Sequence, residues 1–424
     1  SAPSRCVLFT GLHTGHAYIR GNEELASRGN VWSHEAMLAD STLEGQAPVP
    51  ATTVMIPAMM KKAGYTTACI GKWGLGYPGS VSTPNQMGFD YGYNCQRQAH
   101  TYYPPFLYRN EHREYLPNDV HPVPNTPLDK GADPKNEKSY AKYTQKAYSP
   151  DLMYEEIIQF IDRSKDEPFV LFWTTQAPER WVKYYVNKFG DETPYVGSKG
   201  YFPCRYPRAT YAAMVSHWDE QIGGLIAELK KQGIYENTII MFTSDNGPTF
   251  NGGSDSPWFD SAKPFRNDMG WVKCSLREGG VRAPLIVSWP KKVKANSHSE
   301  LISAFWDMMP TFCEIAGLPS PPTDGVSILP EMLGKSREQQ KHEFLYWEYP
   351  DLDGQKAVRM GKWKAFIPNL FKGNKAIELY DLSLDPREQT NIARYHPDIV
   401  EKIREIMNRE HTDAEIKRFN MPKL

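Results

Sequence analysis

The chain reads as an α/β protein, a mainly parallel sheet with helices on both faces, followed by a small C-terminal α+β domain. Three observations carry that reading. From about residue 52 onward, segments of helical periodicity alternate with short apolar runs, the order that builds a parallel sheet covered on both sides. At 424 residues the chain exceeds what one core usually accommodates, about 250 to 300 residues. After a Pro-, Gly- and Ser-bearing stretch at 317–340 the pattern changes to closely spaced short strands, which places a large domain at 1–330 and a small one at 341–424.

Taken in order, the chain opens with Ser1-Ala2-Pro3-Ser4-Arg5-Cys6-Val7-Leu8-Phe9-Thr10-Gly11. Pro3 fixes φ, and Ser4 and Thr10 can satisfy turn or helix donors, so the stretch reads as a turn opening a short helix. Free amides at a helix start and the Arg5 guanidinium both favour an anion, and an ordinary capped helix has the same spacing. Residues 12–22 read as loop. A helix is expected at 52–63, with Pro57 in its first turn and Gly64 after its end, then a strand at 66–70 and a glycine-punctuated turn at 71–76. Residues 77–148 show little periodicity and read as a long surface excursion. Met153, Ile157, Ile158 and Ile161 line one helical face, and 169–173 is a buried strand. A helix at 207–231 carries the stripe Tyr211, Val215, Trp218, Ile222, Leu225 and Leu229, with Gly233 as its stop. Strands at 238–243 and 284–289 and a helix at 306–316 complete the large domain. Short strands at 344–347, 357–360, 363–367 and 377–382 and a helix at 398–408 make the small one.

Lys plus Arg number 49 and Asp plus Glu 50, a net charge of -1, which gives no general attraction to nucleic acid or acidic membranes and makes any anion binding local. No run approaches the roughly 20 apolar residues of a membrane span. Cys6, Cys69, Cys95, Cys204, Cys274 and Cys313 stand apart without a C-x-x-C pair, against a zinc ribbon or a disulfide framework, and read mostly as small buried residues. No secretory leader is visible, an absence of little weight in a sequence that opens at Ser1.

Three places could carry chemistry. Thr243-Ser244-Asp245-Asn246-Gly247 sets a carboxylate and an amide side by side at a strand end, where open α/β sheets present ligands. Those oxygens suit Ca²⁺ or Mg²⁺ better than zinc, and the same residues readily form an Asx turn. Lys72 in its glycine turn and Lys273 ahead of Glu278-Gly279-Gly280-Val281-Arg282 could bring compact positive charge to an oxyanion, or simply be solvated.

These pieces together resemble the type I sulfatases. The family signature is Cys or Ser, any residue, Pro, Ser, Arg, four residues, then Thr-Gly; Ser1 occupies its leading position. Residues 66–76 are similar to the family's Gly-Lys-Trp-His-Leu-Gly segment, Asp245-Asn246 to its metal-binding pair, and 273–282 to its lysine ahead of Glu-Gly-Gly-x-Arg. Leu379-Tyr380-Asp381-Leu382, Asp385-Pro386-Arg387-Glu388 and Asn391 resemble its C-terminal ending. The five matches run in family order from Ser1 to Asn391.

The resemblance implies an alkaline phosphatase-like fold and hydrolysis of a sulfate ester. It implies formylglycine at position 1, whose hydrate is the nucleophile, with Ca²⁺ (Mg²⁺ less suited) held partly by Asp245 and Asn246, while Arg5, Lys72 and Lys273 spread the charge of the sulfuryl group. Ser1 in place of cysteine implies either a serine-type enzyme or an inactive form. Gly74 stands where the family motif has histidine. A strand supplying two adjacent aspartates ahead of the signature, and a Pro-His loop between Thr175 and Gln176, are expected from the family and are not in this sequence. A sugar is the expected leaving group, most similar to galactose or N-acetylgalactosamine 4-sulfate. Arg97 and His100, with Tyr102, Tyr103, Tyr108, His13, His16, Arg20 and Asn22, offer it stacking faces and donors. A periplasmic or secreted place goes with that resemblance. Phosphate or phosphonate ester hydrolysis, and sulfated-glycan binding without turnover, are the alternative functions.

Overall fold

A computed structural model describes residues 2–97, 102–120, 127–174, 181–197 and 201–424. The opening stretch is helix α1 (Ala2–Thr10), buried almost all round. It is too short to make a core and is instead enclosed by one: Phe9 meets Phe172, Trp73 and Phe89 at ring-centroid distances of 4.8, 5.8 and 5.7 Å. Helix α2 (His34–Ala39) is capped by Ser33, and α3 (Ile56–Lys62) takes Pro57 in its first turn. Strand β1 (Thr66–Lys72) runs two residues beyond the expected strand end, and so carries Lys72 to the strand terminus.

The stretch at 77–148 is more ordered than its periodicity suggests. It contains β2 (Tyr91–Cys95), β3 (Phe106–Arg109) and β4 (His112–Tyr115). These runs are only four or five residues long, and their aromatic side chains are pinned across strands rather than spaced along a helix. Helix α4 (Ser149–Ser164), β5 (Phe169–Trp173), α5 (Val182–Phe189) and α6 (Pro207–Lys231) follow. The main sheet has the order β4-β3-β2-β1-β5, parallel at β1·β2 and β1·β5 and antiparallel at its outer hairpin. It is therefore mixed: a parallel centre with an antiparallel flank.

Strands β6 (Ile240–Thr243) and β7 (Leu285–Ser288) pair antiparallel as a separate ribbon. Between them lie α7 (Ser256–Phe259) and α8 (Glu278–Val281). Helix α9 (Met308–Ile315) packs Met309 and Cys313 against α1. The expected linker at 317–340 holds the short α10 (Leu329–Met332) and is a strap rather than a free connection. Asp324 donates its N–H to Gly11 O at 2.9 Å and its carboxylate accepts from His13 N at 2.9 Å.

The C-terminal sheet is antiparallel in the order β11-β10-β9-β8, built from β8 (Leu345–Tyr349), β9 (Gln355–Met360), β10 (Trp363–Ile367) and β11 (Glu378–Asp381). Helix α11 (Pro397–Arg409) closes it with Ile403, Ile406 and Met407. All six cysteines are free, four of them buried. No helix of the described residues is long and apolar enough to cross a membrane.

Candidate active site

Arg5 leaves the middle of α1 inside the protein, 3 % exposed. A buried guanidinium requires partners. Its Nε donates to the Trp73 carbonyl at 2.5 Å, and its Nη1 stands 3.9 Å from Asp245 Oδ2. Trp73 is itself fully buried, its indole N–H donating to Ser82 O at 2.7 Å, so the carbonyl that receives Arg5 is fixed.

Lys72 ends β1 next to this carbonyl. Its N–H donates to Thr174 Oγ1 at 2.5 Å. Gly71 allows the approach, since a Cβ there would lie 2.1 Å from Thr174 O and Oγ1. Burial, then the like charge of Arg5, pulls the Lys72 ammonium down to about 8, with Lys273 pushing the same way and Asp245 opposing. Lys273 is brought in by its own backbone, whose N–H donates to Pro248 O at 2.9 Å, three residues from Asp245.

Asp245 and Asn246 follow the end of β6. Burial raises the Asp245 carboxyl, and the positive charges of Arg5 and Lys72 oppose it. Asn246 donates its amide nitrogen to Gly247 O at 2.8 Å, which leaves Oδ1 as the atom able to serve a cation. An ionised carboxylate beside an amide oxygen fits a hard divalent ion in kind.

Arg5, Lys72, Lys273, Asp245 and Asn246 thus converge from four separate segments. The other candidates do not join them in the same way. Ser1 and His100 lie outside the described residues. Arg97 is buried, its guanidinium 4.6 Å above the Trp32 ring and its Nη1 against Met37 Sδ at 3.8 Å, within reach of the Glu44 charge. It braces the floor of the loop rather than facing solvent. Tyr102 and Tyr103 pack on Tyr148, and Tyr108 is buried in β3. His13 and Arg20 turn away to the C-terminal region, to Glu410 at 3.0 Å and Glu348 at 2.8 Å. Asn22 accepts from Ala2 N at 3.3 Å, at the start of α1.

Two contributors escaped the sequence. Thr174 was readable only as the residue after a strand. Glu44 had no motif: its Oε1 accepts from Gln96 N at 3.1 Å, while Gln96 O accepts from Gly74 N at 3.0 Å, so it supports the lysine turn from below. Burial pushes its carboxyl up to about 7.

Comparison with known proteins identifies the family. The sulfatase family profile matches residues 1–318, and that of the N-sulphoglucosamine sulphohydrolase C-terminal region matches 268–415. An N-acetylgalactosamine-6-O-sulfatase of Bacteroides thetaiotaomicron is 28 % identical, over 96 % of this chain and 83 % of its own length. The mouse N-acetylgalactosamine-6-sulfatase is 26 % identical over 86 % of this chain, which spans 62 % of that relative. The crystal structure of Ps i-CgsB shares the fold with a TM-score of 0.72 at 22 % identity, covering 98 % of this chain and 83 % of that one. With the signature helix, the lysine turn and the Asp-Asn pair brought to one place, the chain belongs to the sulfatase family, the hydrolases of sulfuric esters.

Proposed function

We propose that this protein removes O-sulfate from a carbohydrate, with galactose or N-acetylgalactosamine sulfate as the substrate class. The observation that carries the reading is the gathering of Arg5 and Lys72 near Asp245, with Lys273 close enough to act on Lys72. The cations of this cluster outnumber its one named carboxylate, an excess that a sulfate group would neutralise. The names of the relatives support N-acetylgalactosamine and its 6-position; the motifs also suggest the 4-position.

Asp245 and Asn246 would hold Ca²⁺, which when bound supplies further positive charge to the sulfuryl oxygens. Formylglycine at position 1 would supply the nucleophile. The chain's own residues then have defined tasks. Arg5, locked by the Trp73 carbonyl, fixes one oxygen of the sulfate, and Lys72 delivers a charge made more available by its poor solvation.

The test is a panel of 4- and 6-O-sulfated galactose and N-acetylgalactosamine, given to Ser1→Cys protein co-produced with a formylglycine-generating enzyme, with sulfate release followed by ion chromatography. Sulfate release from at least one sugar is expected. Phosphate release without sulfate release from matched aryl esters would overturn the reading in favour of a phosphatase. Tight binding of a sulfated sugar with no turnover would make the protein a glycan binder.

A further inference from the structure

Outside the cationic cluster, a cavity of about 320 Å³ opens between the 192–195 loop, the first turn of α6 and the 250–255 turn. That is at the small end of the range for ligand pockets, about 300 to 1,000 Å³. Its wall is tied to the candidate active site: Phe250 packs on the cluster that contains Val272, next to Lys273, and Pro248, two residues before Phe250, carries the carbonyl that holds Lys273 N.

The lining combines two kinds of surface. Tyr195, Phe250 and Pro207 supply apolar faces, and Arg208, Asp255 and Glu192 supply charge. Arg208 Nη2 meets Asp255 Oδ2 at 2.6 Å, and its Nε donates to the same oxygen at 2.8 Å. Both side chains are about one-third exposed, at 34 and 31 %. The pair therefore offers hydrogen-bond donors and acceptors together at a wetted surface, the combination that vicinal hydroxyls require. Glu192 is committed to the start of α6, accepting from Arg208 N at 2.8 Å and Ala209 N at 3.0 Å.

The turn is held in an unusual shape. Asp255, not a glycine, has φ of +45°, and a Cβ on Gly253 would come within 2.7 Å of Pro207 Cβ. Backbone held in such a conformation often marks a ligand clamp. The charge balance narrows the ligand: two carboxylates against one guanidinium make the lining net negative, which disfavours a second sulfate or a uronate.

We propose that this cavity is a subsite for an uncharged sugar joined to the sulfated one. The inference rests on the sulfatase reading above and extends it: the substrate is an oligosaccharide whose neighbouring residue carries neither sulfate nor carboxylate. Its ring packs on Phe250 and Tyr195 while its hydroxyls bond the Arg208–Asp255 pair.

Binding and turnover test this separately. Saturation-transfer NMR with unsulfated galactobiose reads the cavity without any chemistry at position 1. Millimolar binding is expected for the unaltered protein, with at least a tenfold loss in Phe250→Ala and in Arg208→Gln. No binding, or binding unchanged in both variants, would overturn the subsite whatever the enzyme hydrolyses. With matured enzyme, Phe250→Ala should lower kcat/KM for a sulfated disaccharide with a neutral neighbour about tenfold and leave the sulfated monosaccharide within about twofold, which also shows that the variant is folded. An equal fall on both substrates, or a preference for a uronate neighbour, would overturn the proposal.

Discussion

Buried charge occurs in two regions of this molecule and is handled differently in each. Along the seam between α8, the 12–22 loop and the C-terminal sheet, the cations named are closely matched by anions. Lys364, fully buried, meets Glu278 at 2.8 Å, Arg20 meets Glu348 at 2.8 Å, and Arg277 meets Glu378 at 2.7 Å. In the candidate active site like charges gather instead: Arg5 lies 3.9 Å from Asp245, and Lys72 feels the repulsion of both Arg5 and Lys273. Matched charge fixes how the parts sit; surplus charge stores an attraction for a ligand.

The largest effect should come from breaking a match. Lys364→Ala leaves Glu278 buried with its closest partner gone, and should cost about 3 to 5 kcal/mol in chemical denaturation. Comparable stability to the unaltered protein would show that the seam does not need its ion pair. In the active site the balance should reverse. Lys72→Ala should lower sulfate-ester turnover about 10²- to 10³-fold while leaving the melting temperature unchanged or higher, because like-charge crowding is relieved.

Lys72 also sets a pH limit. With its ammonium pulled down to about 8, activity should fall as pH rises through about 8, and Lys72→Arg should move that limb upward, since arginine keeps its charge. An unmoved limb would assign it to another group. The same depression opposes folding: the cost is fully present below about pH 8 and is recovered as pH climbs towards the ordinary lysine value, because the unfolded chain there holds the extra proton.

The smallest effect belongs to the strap. The hydrogen bond to Asp324 raises the His16 imidazole. Its contribution is complete below the unfolded histidine value, about 6.5, and is lost as pH rises through the higher folded one. His16→Gln should therefore lower the melting temperature by about 1–2 °C at pH 6 and leave it unchanged at pH 9; an equal loss at both would mean that shape rather than charge matters.

Much of the architecture was legible because helix stripes and apolar runs are local signals. The helix at about 207–231 and the strand at 169–173 stand where those signals put them. The hairpin within 77–148 was missed because its order comes from cross-strand pairs such as Phe106 with Tyr115, which a linear pattern does not display. In the candidate site, Arg5, Lys72, Lys273, Asp245 and Asn246 each sit in a motif that the sequence displays. Residues defined only by what they touch do not. Arg97 and Arg20, expected to offer donors to the sugar, lie buried, Arg97 on Trp32 and Arg20 with Glu348. Glu44 and Thr174 act through the backbone of distant segments, and nothing in their sequence neighbourhood announces it.

The contact from His13 N to Asp324 spans 311 positions of the chain. The loop that leaves the signature helix is thus fastened by a residue far along the chain. Asp245, which faces Arg5, and α9, which packs on α1, both precede Asp324 in the chain, so the strap can reach back over Gly11 only after both have been made. Shortening the chain ahead of 324 would therefore leave the loop after α1 without the carboxylate that holds both His13 N and the His16 ring.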